Sequence, residues 1–277
     1  MAYVGSELSP GVRLSPSVTI PRMQPPAPTF ATNLAAVRER IARAALRAGR
    51  RPEEVTLVAI SKTFPATAIR SAWGVGVRDF GENRVQEWES KRPEVADLHA
   101  TWHLVGHLQS NKARRAATLF NCVDSLDSMD LARRLDGALA EQGGATAGNK
   151  LRVLLEARLA PEESKTGADP DVLESLARAV LSLPNLELAG LMCIPPFSED
   201  PELARPYFRR LRELRDRLRS ALAESAEARE LAGHRGILLP VLSMGMSHDF
   251  EVAIEEGATE VRIGTALFGL RTGSHGP

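Results

Sequence analysis

Eight short apolar runs, each followed by a stretch with helical spacing, constrain this chain more than any other feature. The runs are VTLVAI (55–60), VRDF (77–80), TWHLVG (101–106), FNCVDS (120–125), LRVLLEA (151–157), LELAGLM (186–192), LLPVLSM (238–244) and EVRIG (260–264). They are continuous rather than alternating, the pattern of strands buried on both faces, and strands separated by helices pair in parallel. Eight such units predict a single (β/α)8 TIM-like barrel over residues 31–277. A doubly wound open sheet is the competing arrangement. Ahead of the first strand, Leu34, Val37, Ile41, Ala45 and Ala48 recur at helical spacing. They predict an extra N-terminal helix, begun by Thr32 or Asn33 and ended at Gly49.

Residues 1–30 hold six prolines and two glycines with no apolar periodicity. Such a segment buries too little surface to offset its ordering entropy and reads as a disordered, proline-rich leader. It has neither the apolar stretch nor the basic amphipathic helix of a targeting peptide, so the expected location is cytoplasmic. Lys+Arg and Asp+Glu balance at 35 each, which gives no general electrostatic attraction to nucleic acid. No apolar stretch reaches the ~20 residues that span a bilayer, so no membrane partner is expected. Cys122 and Cys193, far apart, make no disulfide framework and suit a reducing compartment.

In a barrel the reactive groups collect at the carboxyl ends of the strands. Run seven ends in SMGMS, with Ser243 and Ser247 around a glycine, and run eight ends in Gly264-Thr265 at the start of a helix. Free N–H groups at a helix start, beside small residues, suit an oxyanion, and barrels often hold phosphate after strands seven and eight. A tight turn with an ordinary cap is the plainer alternative. Lys62 follows run one at the same rim; alone it reads as a solvated loop residue. Across the mouth from a phosphate cradle it becomes a candidate for Schiff-base chemistry, since an amine relieved of its proton attacks carbonyls. Arg262 would add positive charge and could face a pyridine nitrogen, as in some pyridoxal phosphate sites; a surface ion pair with Glu260 or Glu256 is the alternative. His103 and His107 lie about 13 Å apart on an extended strand, too far to share a metal ion. The arginines at 205–219, interrupted by Glu213 and Asp216, read as a solvated helix face.

SKT (61–63), FGENRVQE (80–87), WHLVGHLQSNK (102–112), ESKTG (163–167) and SMGMSHDFEVAIEEGATEVRIGTALFG (243–269) also carry a family resemblance. Over about residues 31–270 the chain is similar to the pyridoxal phosphate homeostasis proteins, relatives of the barrel domain of bacterial alanine racemase. The resemblance implies pyridoxal 5'-phosphate bound covalently as an aldimine at Lys62. It assigns the phosphate to Ser243, Gly264 and Thr265 and the pyridine nitrogen to Arg262. It places Asn83 and His103 along the pocket and offers Lys165 a secondary aldehyde contact, loop solvation being the plainer role. His107 and Arg84 depart from the family pattern, which bears on the edge of the pocket. The implied function is intracellular vitamin B6 homeostasis without turnover, with PLP-dependent apo-enzymes as candidate recipients and a monomeric state. The alternative is an amino-acid racemase, which needs proton donors on both faces of its substrate. The related racemases supply a tyrosine for this from a further domain, for which no room is expected after run eight. Tyr3 and Tyr207 are not placed for the task by sequence, whereas Cys193 or His103 could substitute.

Overall fold

A computed structural model describes residues 29–145, 150–160, 166–232 and 238–269. Residues 1–28 of the expected leader and Lys165 lie outside the described residues; Thr29 and Phe30, the last two residues of that leader, already belong to the start of the first helix. Eight parallel strands close into a barrel in chain order: β1 (Thr56–Ile60), β2 (Asp79–Glu82), β3 (Thr101–Leu104), β4 (Cys122–Leu126), β5 (Leu151–Glu156), β6 (Leu186–Met192), β7 (Val241–Ser243) and β8 (Glu260–Ile263). Each strand overlaps one of the eight apolar runs; six lie inside theirs, while β2 runs on past Phe80 to Glu82 and β4 one residue past Ser125 to Leu126. β8 pairs back onto β1, with Val58 opposite Arg262 and Ala59 opposite Ile263. Closure leaves no sheet edge, and the open-sheet alternative is excluded.

Among the described residues ten helices surround the barrel: α1 (Phe30–Arg47), α2 (Ala66–Gly74), α3 (Val85–Lys91), α4 (Ala113–Leu119), α5 (Met129–Ala140), α6 (Leu173–Leu181), α7 (Arg205–Glu224), α8 (Ala226–Ala232), α9 (Phe250–Glu255) and α10 (Thr265–Phe268). The extra helix is α1, and it buries Leu34, Val37, Ile41, Ala44 and Ala45. Its cap is Thr29, whose hydroxyl accepts the Thr32 N–H, rather than Thr32 or Asn33. Asn33 instead donates its side-chain amide to the Leu267 carbonyl at 2.9 Å, tying α1 to α10.

Side chains alternate across each strand, so one set faces the helices and the other the lumen. Ala59, Phe80, Trp102, Leu104, Val123, Leu242, Val261 and Ile263 join the large core between sheet and helices. There Trp88 of α3 stacks on Trp102, ring centroids 3.9 Å apart, and donates its indole N–H to the Leu119 carbonyl. The complementary set lies inside. It includes two small apolar clusters, Val58–Ile60–Val105 and Leu154–Ala189–Met192–Val241. Between them stand buried polar groups: His103, Asp124, Ser243, Glu260 and Arg262. β6 and β7 approach so closely at Gly190 that a Cβ there would collide with the Val241 carbonyl.

The arginine-rich face of α7 is more than a solvated surface. Arg205, Arg209 and Arg212 converge on Glu256 at the end of α9, and Arg205 also meets Glu255 at 2.7 Å. Glu256, 5% exposed, sits beneath them, so that part of the face clamps α9 against the barrel.

Candidate functional site at the carboxyl mouth of the barrel

Lys62 and Gly264 occupy neighbouring strand ends. β1 ends at Ile60, and the Ile60 carbonyl and Cβ lie within 4 Å of where a Gly264 Cβ would project. The two sequence candidates are therefore adjacent, joined by the strand pair that closes the barrel, rather than opposite each other across the mouth. Ser61 continues β1 by donating its N–H to the Gly81 carbonyl and turns its side chain toward the helix layer. Lys62 follows in the turn that leaves the strand and is half-buried.

The oxyanion candidates separate into two levels. Ser247, in the loop after β7, accepts the N–H groups of Gly264 (3.3 Å) and Ala266 (3.2 Å) at the start of α10. Ser243 does not join them. It pairs in register with Glu260, four residues and roughly 13 Å along β8 below Gly264. Its hydroxyl accepts a 2.7 Å hydrogen bond from Arg262. Of the two serines in SMGMS, Ser247 reaches the α10 start and Ser243 supports the arginine. Gly245 between them has φ +91 and faces the Phe250 Cα so closely that a side chain is excluded.

Arg262 is 4% exposed and inside the lumen, not in a surface pair with Glu260 or Glu256. Besides Ser243 it donates to the Cys193 carbonyl at 2.8 Å. Its charge also acts on the carboxyls of Glu156 and Asp249, which burial pushes above their ordinary values against that attraction. Burial pushes the Cys193 thiol up to about 12, although Arg262 opposes the shift. Cys193 is consequently a neutral thiol.

Asn83 follows β2 at the mouth, half-buried, with its backbone packed against the Cα side of Gly106. His103 is not brought into the group around Lys62 and Gly264. Its Nδ1 faces Asp124 at 3.1 Å and its Nε2 faces Asp79, at the start of β2, at 3.4 Å. Burial opposes the proton, but Asp124 outweighs it and holds the imidazole well above its ordinary value. His103, Cys122 and Asp124 place potential ligand atoms within 4.8 Å of one another. Both ring nitrogens of His103 are turned to carboxylates, so this trio already has its own partners. His107 stands apart, at 3.3 Å from Asp127. A cavity of about 460 Å³, lined by Arg38, Thr56, Arg78 and Asp79 among others, opens where the strands begin, at the end of the barrel away from Lys62 and Gly264, and shares Asp79 with the His103 group.

The mouth thus combines an amine, backbone N–H groups gathered on one hydroxyl oxygen, and a buried guanidinium beneath. A ligand with an aldehyde at one end and a phosphate at the other matches that donor set. Among the described residues no helix is long and apolar enough to cross a membrane.

Residues 32–272 match the family described as the alanine racemase N-terminal domain. The chain is 45% identical over 239 residues to the pyridoxal phosphate homeostasis protein of Aquifex aeolicus, covering 86% of this chain and 96% of that protein. Its identity to the same-named protein of Pseudomonas aeruginosa is 46% over 243 residues, 88% and 96% of the respective chains. Among solved structures, PipY of Synechococcus elongatus with PLP bound aligns at a TM-score of 0.71 and 37% identity, covering 87% of this chain and all of that one. Alanine racemase of Corynebacterium glutamicum, 17% identical, shares the fold at a TM-score of 0.55, over 86% of this chain and 62% of the racemase.

Proposed function

The chain belongs to the alanine racemase N-terminal domain family and, within it, to the pyridoxal phosphate homeostasis proteins, and from that premise we propose that it holds pyridoxal 5'-phosphate on Lys62. The observation that carries the proposal is the adjacency of Lys62 to the Gly264–Thr265 start of α10 across the β1–β8 seam. Lys62 would hold the cofactor through its aldehyde. The group supplies an aldehyde and an electron-withdrawing ring; everything else is the work of this chain.

The N–H groups of Gly264 and Ala266 converge on the Ser247 hydroxyl as they would on a phosphate oxygen, so this end holds the phosphate, with Thr265 beside it. Arg262, fixed by Ser243 and the Cys193 carbonyl, is a permanent cation that would face the ring nitrogen. Ser243 therefore serves the site through Arg262 and not through the phosphate. Asn83 lines the rim. Where two structural solutions compete for His103, the ion pair with Asp124 is the one favoured over a pocket contact.

We assign the protein to intracellular vitamin B6 homeostasis, as a carrier without turnover that passes the cofactor to PLP-dependent apo-enzymes. The candidate second bases support this reading. Cys193 keeps its proton at any physiological pH, and both nitrogens of His103 are committed to carboxylates. Tyr207 of α7 packs on the outer core. Racemisation needs a proton donor opposite the lysine, and none of these three is available as one. Incubation of the cofactor-loaded protein with D- or L-alanine, followed by chiral analysis, tests the assignment. Retention of configuration is expected; rapid inversion that is lost in Lys62→Ala would establish the racemase instead.

A further inference from the structure

Lys91 stands in the strongly charged run EWESKRPE, yet it is only 9% exposed. Its ammonium donates to Glu82 Oε1 at 2.8 Å, to Glu87 Oε1 at 2.8 Å and to the Ser61 carbonyl at 3.1 Å. Glu82 closes β2, faces the helix layer and has no exposed surface. Its Oε1 also accepts the Ser61 hydroxyl at 2.8 Å, while Oε2 is buried without a hydrogen-bond partner. Glu87 accepts the Thr63 N–H. Thr63 has φ +67, a conformation that a β-branched residue adopts only when its surroundings impose it.

Ser61 and Thr63 are the two chain neighbours of Lys62, and one cation–carboxylate cluster grips both. Stability alone does not account for such a cluster. Buried ion pairs are commonly no better than apolar packing of the same volume, and an unpartnered carboxylate oxygen adds a desolvation cost. The cluster does fix one backbone conformation, with a strained residue in it, directly behind the amine at the mouth.

We propose that Lys91, through Glu82 and Glu87, is a positioning residue for Lys62: it locks the Ser61–Lys62–Thr63 turn so that the amine is presented to an incoming aldehyde. The inference rests on the reading that Lys62 is the attachment point. Lys91 touches no cofactor atom and acts only through the turn.

Two variants of the full-length chain test it. Glu87→Gln loosens the Thr63 N–H without stranding a charge, and Glu82→Gln/Lys91→Met removes both buried charges together so that neither is left unpaired. Each is mixed with pyridoxal 5'-phosphate, and growth of the visible imine band is followed from neutral to alkaline pH beside the melting temperature. Capture is expected to slow about tenfold in either variant, the scale of one lost charge-assisted hydrogen bond, with a displaced pH profile. Melting temperatures should change far less than the capture rate. Capture at the parent rate and pH profile in both variants would overturn the inference, as would a loss of rate that only tracks a loss of folded protein. If the double variant does not fold, Glu87→Gln decides alone. Borohydride labelling of the parent chain separates the two levels: no label on Lys62 defeats the attachment reading, whereas a labelled parent with unimpaired variants defeats the role of Lys91 only.

Discussion

Asp124→Asn removes the counter-charge of His103 from the barrel lumen. Both side chains are 1% exposed and stand 3.1 Å apart, so solvent screening does not discount their attraction. Breaking a buried pair by deleting one partner costs about 3–5 kcal/mol. Two effects offset part of that loss. The Asn amide oxygen can still accept from the Nδ1–H of a neutral imidazole, and Glu260, which Asp124 repels, is relieved. A net loss of about 2–3 kcal/mol remains, which for a chain of this size lowers the melting temperature by roughly 5–10 °C. The pH dependence is the sharper signature. A histidine whose folded value is raised contributes fully below its unfolded value near 6.5, and that contribution fades as pH climbs through the folded value. The parent should therefore lose stability on the alkaline side, and the variant should lack that slope because burial then drives the proton off. Thermal melts by circular dichroism over a pH series supply the data. A variant that melts within about 2 °C of the parent at mildly acidic pH, or keeps the parent's alkaline slope, would refute the ion-paired reading of His103.

Three further outcomes follow from the same coordinates. Gly190→Ala should destabilise the barrel by about 2–3 kcal/mol, because its methyl group meets the Val241 carbonyl of the neighbouring strand; an unchanged denaturant midpoint would contradict that packing. Cys193, with its thiol near 12, should resist iodoacetamide in the native protein at mildly alkaline pH and react after unfolding, as peptide mass analysis would show. Arg262→Glu should weaken cofactor retention at least tenfold in a titration, by repelling the phosphate and removing the ring-nitrogen partner; unchanged affinity would remove Arg262 from the site.

Strand order and closure were readable because a parallel strand buried on both faces leaves an unbroken apolar run, as in LRVLLEA. Helix ends were less readable. Thr32 and Asn33 are competent caps by residue type, but the helix starts earlier, where the Thr29 hydroxyl accepts the Thr32 N–H, and Asn33 is drawn off to the Leu267 carbonyl. The helical spacing after the sixth run shows no break, but the chain leaves the helix at Ser225, at ψ 120, between α7 and α8. Lys62, Gly264 and Thr265 were found by walking the strand ends, since a barrel collects its mouth residues there. The division of labour between Ser243 and Ser247 depends on register with β8, which spacing does not encode. The polar lumen was hidden for a similar reason. Asp124 and Glu260 look like strand-end polar residues until closure brings them beside His103. Lys91 had a faint signal, an i,i+4 pair with Glu87 in a helix that also carries the core residue Trp88.

Borohydride reduction of the protein as purified with its cofactor, followed by peptide mapping, tests the central assignment most directly. One stable pyridoxyl group is expected, on the peptide containing Lys62, with no such label in Lys62→Ala. A label on another lysine, or a Lys62→Ala protein with the parent's visible spectrum, would contradict it.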